Sequence, residues 1–217
     1  MHTGGVVLIA ALAGGAAGVG IRLLLTNLPR GVVLRVGVVE VPAAVLTAVS
    51  VGLTWPGPWV PLVVWAGLLG VGMGAVDIAR HRLPDALTLP AVPITLALIA
   101  AVEYMSPSTG SFVVALAVAV VVTGLFWALA AIAPRAMGLG DVKLVPSLAL
   151  LTGYASVAAS IVAVAIAFVL GAVLAVLGLV LRRLSLTSAI PFGPFLLAGC
   201  WLVLAIPGLV TAVVGRI

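Results

Sequence analysis

The sequence predicts an all-α fold, a polytopic membrane helix bundle of about eight membrane segments forming one domain over residues 1–217. Three observations carry that prediction. The 217 residues are 65% hydrophobic and only 7% charged, with a mean hydropathy of +1.45, and a water-soluble domain of this size has no means of hiding so much apolar side chain. Apolar runs near or above ~18 residues, long enough to enter or cross a bilayer, recur along the chain. The positive residues gather at alternate connections between those runs, as the positive-inside rule requires.

The runs place membrane segments at 4–26, 32–54, 58–79, 86–104, 111–133, 142–152, 155–181 and 189–214. The first is followed by no convincing cleavage signal and by further spans, so it reads as a retained helix and not a removed signal peptide. "NLPRG" ends it, "WPGPW" ends the second, and "RLPD", "MSPSTG", "APRAMGLG", "TGY" and "RRLSLTS" separate the rest. Each of these stretches holds Pro, Gly or clustered small polar residues, which break helices or start turns.

Arg22, Arg30 and Arg35 flank the first connection, Arg80 and Arg82 the third, Arg135 and Lys143 the fifth, and Arg182 and Arg183 the seventh. Only Arg216 falls on the other side, so the odd-numbered connections are expected to face the cytoplasm. Trp55, Trp59, Tyr104 and Tyr154 fall at the opposite side, where an interfacial aromatic belt belongs. The sixth segment is unusual. Over 142–152 it would be about 17 Å long, well short of a ~30 Å hydrocarbon core. Its start, at Asp141, is therefore expected to lie recessed below the cytoplasmic surface, beside a cavity or inside protein.

Charge and composition also exclude several function classes. The net charge of +5 is spread over short loops without basic clusters, which fits orientation in a membrane and not nucleic-acid binding. The single cysteine, Cys200, rules out an internal disulfide and a CxxC metal or redox site. It lies in an apolar run and reads as a packed small side chain. No HExxH, GxSxG, GxxxxGK[ST] or metal-ligand cluster occurs, so zinc, serine-nucleophile and nucleotide chemistries have no support and no cofactor is expected.

The five acids carry the remaining information. Glu103, beside Tyr104 at an outer helix end, reads as interfacial. Asp85 opens the fourth segment, where capping or a supporting role at a site would both suit the helix dipole. Glu40 falls inside the second, where a carboxylate is expensive and calls for an ion pair or hydrogen bonds. His81, between Arg80 and Arg82, reads as solvated or in contact with lipid headgroups. Asp77 ends the third segment and Asp141 begins the sixth, so both lie at one membrane level although they are 64 positions apart. Two carboxylates held together share a proton, which would let one activate water while the other polarises a carbonyl. The same pair could serve a proton or ion pathway, and the residues alone leave a proton-coupled transporter or channel open. Gly138 and Gly140, lacking Cβ, would let the backbone turn and a neighbouring helix approach Asp141. Lys143 reads either as a positive-inside anchor or as a local electrostatic tuner.

Four stretches resemble one family in order along the chain. "GLGDVKL" at 138–144 is similar to the GxGD motif of type IV prepilin peptidases, which are membrane aspartyl proteases. "DIARHRLPDALTLP" at 77–90 resembles that family's first acidic motif. "RVGVVEVPAAVLTA" at 35–48 and "IPFGPFLLAG" at 190–199 resemble two further segments. The resemblance implies that Asp77 and Asp141 are the catalytic aspartates, with Glu40, Asp85, Gly138, Gly140 and Lys143 in support. It implies an endopeptidase of the plasma (bacterial inner) membrane that needs no metal. Its substrate would be a prepilin or pseudopilin precursor with a short basic leader, cut at the cytoplasmic face, with pilus assembly machinery as a further partner. Many members carry a cytoplasmic insert with paired CxxC motifs after the first helix and also methylate the new N-terminus. This chain has neither insert nor CxxC, so the resemblance extends to the peptidase and not to the methyltransferase. Short members of this kind often serve Tad-type or related pili.

Overall fold

In the computed structural model, residues 3–28, 32–80, 84–132, 138–183 and 191–215 are described. Among them lie nine helices: α1 (Thr3–Asn27), α2 (Glu40–Thr54), α3 (Val60–Arg80), α4 (Asp85–Met105), α5 (Phe112–Ile132), α6 (Leu139–Ala155), α7 (Val157–Val180), α8 (Gly193–Ala205) and α9 (Gly208–Val214). Arg30, His81, Arg82, Arg135 and Arg216, used above for sidedness or site arguments, lie outside the described residues. Among the described residues, five helices (α1, α3, α4, α5 and α7) are long and apolar enough to cross a membrane. The number is six if the bent pair α8–α9 counts as one span. The protein is therefore a multi-pass membrane protein with an all-α fold.

The helices sort by what surrounds them. The most apolar windows of α1, α5 and α7 are only 11%, 17% and 17% buried within the protein, whereas that of α3 is 61% buried. Most of α6 is buried as well. The helices that carry Asp77 and Asp141 thus occupy the interior, and the long apolar helices α1, α5 and α7 face largely outward, where lipid imposes no polar requirement. The main core joins Leu62, Leu69 and Met73 of α3 to Leu144 and Leu148 of α6 and Leu196 of α8. Cys200 is buried in the same core, as its apolar setting predicted.

Three boundaries depart from the sequence expectation. First, α2 begins at Glu40, not at 32. Gly37 adopts φ +93°, a conformation other residues resist, and this breaks the helix before it starts. The Glu40 carboxylate then accepts the Gly37 N–H at 2.8 Å and so closes the turn that leads into α2. Second, α6 runs Leu139–Ala155, 17 residues and not the shorter 142–152, which makes it about 25 Å long and still under the ~30 Å core. "TGY" does not end it. A Cβ on Gly153 would lie 2.8 Å from Val118 Cβ, so that glycine permits close packing on α5. Third, the last segment is not continuous: α8 and α9 meet at 101°, where Pro207 follows the end of α8 and cannot continue its hydrogen bonding.

The aromatic belt also needs correction. Trp55 and Tyr104 are exposed, as a belt requires, but Tyr154 is wholly buried and stacks at a tilt on Trp59, with ring centroids 5.5 Å apart. Tyr154 is a core residue: its carbonyl also accepts the Ser111 N–H at 3.1 Å and so joins the end of α6 to the start of α5.

Candidate active site

One end of the bundle gathers the chemistry. It comprises the C-terminal end of α3 and the N-terminal ends of α4, α6 and α8. Asp77 sits in the last turn of α3, 5% exposed, and Asp141 in the first turn of α6, 8% exposed. The Asp141 amide donates to the Gly138 carbonyl at 3.0 Å as α6 starts. Each side chain is held by a helix that the surrounding core fixes in place, so neither acid depends on a loop for its position.

The structure brings the two carboxyls close enough that the charge of Asp77 acts on Asp141. It also brings up two backbone N–H groups, those of Gly138 and Gly193, which face the Asp141 carboxyl. Carboxylate oxygens beside helix N-terminal amides are well served by hydrogen-bond donors and by the dipole. α3 and α6 touch directly over only a short stretch. α8, which packs on both, and α4, which packs on both, therefore bridge the two acids. Among the described residues no group of three or more His, Cys, Asp or Glu side chains gathers as a metal site would need.

The other predicted residues divide. Gly138 is the residue before α6, with φ −73° and ψ 140°, a backbone any residue adopts. A Cβ there would meet Asp141 Oδ2 at 3.5 Å, an ordinary contact. Neither space nor conformation therefore demands glycine at 138; its N–H is what reaches the acid. Gly140 lies within the first turn of α6 and is partly exposed. Asp85 is not a side-chain cap of its own helix: the residue before α4 is Pro84, and no side-chain capping bond forms there. Its carboxylate instead takes the Lys143 ammonium of α6, Nζ to Oδ1 2.6 Å. Glu40 is not inside α2 but at its first residue, where it pairs with Arg22 of α1 (Nε to Oε1 2.5 Å) as well as with the Gly37 amide. Its partners thus lie in the α1–α2 hairpin.

Two partners are not evident from sequence alone. Arg22 flanks the first connection in sequence, yet it lies within α1; a charge inside the apolar run 4–26 is the available sign that it needs a partner. Gly193 stands in sequence only as part of the "IPFGPFLLAG" stretch. "FGPF" does carry a helix-start signal, with Pro194 just inside α8, but only packing turns that start toward Asp141.

Fold and site together define a class: a multi-pass helical membrane protein that holds two interacting carboxyls at one end of its bundle. The sequence model of the type IV leader peptidase family matches residues 62–176, just over half of the chain, and the chain belongs to that family. Both acids fall within the matched span, while Glu40 and the "IPFGPFLLAG" stretch fall outside it. No curated protein and no solved structure matches the chain.

Proposed function

We propose that this protein is a prepilin leader peptidase, an aspartic endopeptidase that removes the short basic leader of pilin-like precursors at the cytoplasmic membrane face. The observation that carries the reading is the placement of Asp77 and Asp141, two buried acids from distant parts of the sequence, at one end of the bundle. One shared proton gives the pair complementary roles. The ionised carboxyl takes a proton from water as the oxygen attacks the scissile carbonyl, while the protonated partner donates a hydrogen bond to the carbonyl oxygen. Collapse of the tetrahedral intermediate breaks the C–N bond, and a proton from the dyad goes to the leaving amine.

In this reading α2 and α6 are the two short membrane segments and α8–α9 the last, broken one, which gives eight segments in a single domain. The ends of α3 and α6 that carry the acids then face the cytoplasm, the side on which Arg35, Arg80, Lys143, Arg182 and Arg183 fall. The precursor's basic leader would lie at that face, with its apolar helix in the bilayer.

Co-expression with a candidate prepilin, with leader removal read as a gel shift, tests the proposal. Asp77→Asn and Asp141→Asn should each abolish processing while the protein stays in the membrane. Normal cleavage by either variant would sink the assignment and favour the relay reading of the same acids. The mass of the mature pilin N-terminus reports methylation separately, and this chain alone is expected to add no methyl group.

A further inference from the structure

Two residues outside the acid pair join the acid-bearing parts of the chain. Lys143 lies two positions after Asp141, so its side chain leaves α6 about 200° around the helix from the acid. Asp85 lies eight positions after Asp77 and opens α4, the helix that follows α3. Their ion pair, 2.6 Å between Nζ and Oδ1, therefore fastens the start of α4 to the start of α6 across 58 positions of sequence. Both side chains are substantially exposed, 43% for Lys143 and 56% for Asp85, and an exposed pair of this kind adds little to global stability.

Its placement gives it a different use. α3 and α6 meet directly over only a short stretch, so the distance between their two acids is set by the helices that bridge them. On one side α8 does this, with the Gly193 amide facing Asp141. On the other side α4 does it, and Lys143 with Asp85 makes a polar contact at the acid-bearing end of that interface.

We propose that the Lys143–Asp85 ion pair is a positioning latch, which sets the register of α4 against α6 and through it the approach of Asp77 to Asp141. The proposal rests on the peptidase reading above. Neither residue contacts the scissile bond; each acts through the helix end that it holds. Catalysis by paired groups is sensitive to sub-ångström placement, and a misplacement near 1 Å costs on the order of 100-fold. A latch that lets the helix ends drift by part of that distance should thus change turnover more than binding.

The test uses the full-length enzyme in membranes and a full-length prepilin that the wild type cleaves. Lys143→Met and Asp85→Asn should each lower kcat about tenfold and leave KM within about twofold. The double variant should be no worse than either single one, because both remove the same contact. Lys143→Arg, which keeps the charge, should retain most of the rate, and the reversed pair Lys143→Glu with Asp85→Lys should recover part of it. Raising salt to about 1 M, where the screening length is about 3 Å, should narrow the gap between wild type and variants; a purely structural role would not do this. Unchanged kcat in both single variants, additive losses in the double, or a reversed pair as poor as the singles would overturn the latch while leaving the peptidase assignment intact. Failure of the wild type to cleave any prepilin would instead remove the peptidase reading, and the latch with it.

Discussion

The close packing of α1 on α2 makes a substitution of one methyl group informative. In Gly14→Ala the new Cβ would lie 2.6 Å from the Ala43 carbonyl oxygen and 2.6 Å from Thr47 Cβ and Oγ1. Real Cβ atoms essentially never approach closer than 3.0 Å, so the seam must open from 2.6 to 3.0 Å, a retreat of 0.4 Å, or 0.8 Å to reach an ordinary 3.4 Å contact. Side-chain rotation gives no relief, because one neighbour is backbone and another is a Cβ. A gap of that size forfeits roughly a quarter to a half of the dispersion energy along the seam, and overpacking of this type costs about 1–3 kcal/mol.

Gly20→Ala is the matched control. It sits in the same helix with nothing within 4 Å of its Cβ, and removing a helical glycine there should be neutral or stabilising by about 0.5–1 kcal/mol. The chain provides its own reporter, since its single cysteine, Cys200, is 1% exposed and should react with a thiol dye only once the bundle opens. Gly14→Ala should lower the midpoint of dye labelling on heating in detergent by about 3–10 °C relative to wild type. Gly20→Ala should leave it level or higher. Equal midpoints for the two variants would refute the claim that glycine at 14 is there for helix approach.

Trp65→Phe removes the indole N–H that donates to Thr95 Oγ1 at 2.9 Å; it should cost about 1 kcal/mol because Thr95 is fully buried, and the same thiol assay measures it. Gly37→Ala forces a side chain onto φ +93°. It should destabilise by about 1–2 kcal/mol and lower the labelling midpoint with little change in kcat, because the affected turn lies at the start of α2. Leader cleavage should follow a bell-shaped pH profile. Activity falls in acid when both Asp77 and Asp141 are protonated and in base when both are ionised, since only the singly protonated pair holds an acid and a base together. A flat profile across both limbs would contradict a shared-proton dyad.

Much of the site was visible in sequence because charge is rare in so apolar a chain. Asp77 and Asp141 stand out for that reason, and the alternation of positive loops assigned them to one end of the bundle without any structure. The same scarcity flagged Glu40 as needing a partner. It did not name Arg22, because positions 18 apart on either side of a turn meet only if the turn has a particular shape, and Gly37 supplies that shape. "TGY" misled for a related reason: a glycine beside small polar residues signals a turn locally, but Gly153 answers to the approach of α5, which no local pattern records.

The sequence by itself determined the solvent this protein folds in, the helical class that follows from it, and the two acids that end its third apolar run and begin its sixth. Burial of apolar runs and the cost of unpaired charge act residue by residue, so they can be read from a single chain. The tertiary structure decided what surrounds those acids: the Gly193 amide beside Asp141, the Lys143–Asp85 bond across α4 and α6, and the removal of Tyr154 from the interface into the core. These depend on the rotation and depth of each helix against its neighbours. Those degrees of freedom are set by packing among all the helices at once, so no single stretch of sequence encodes them.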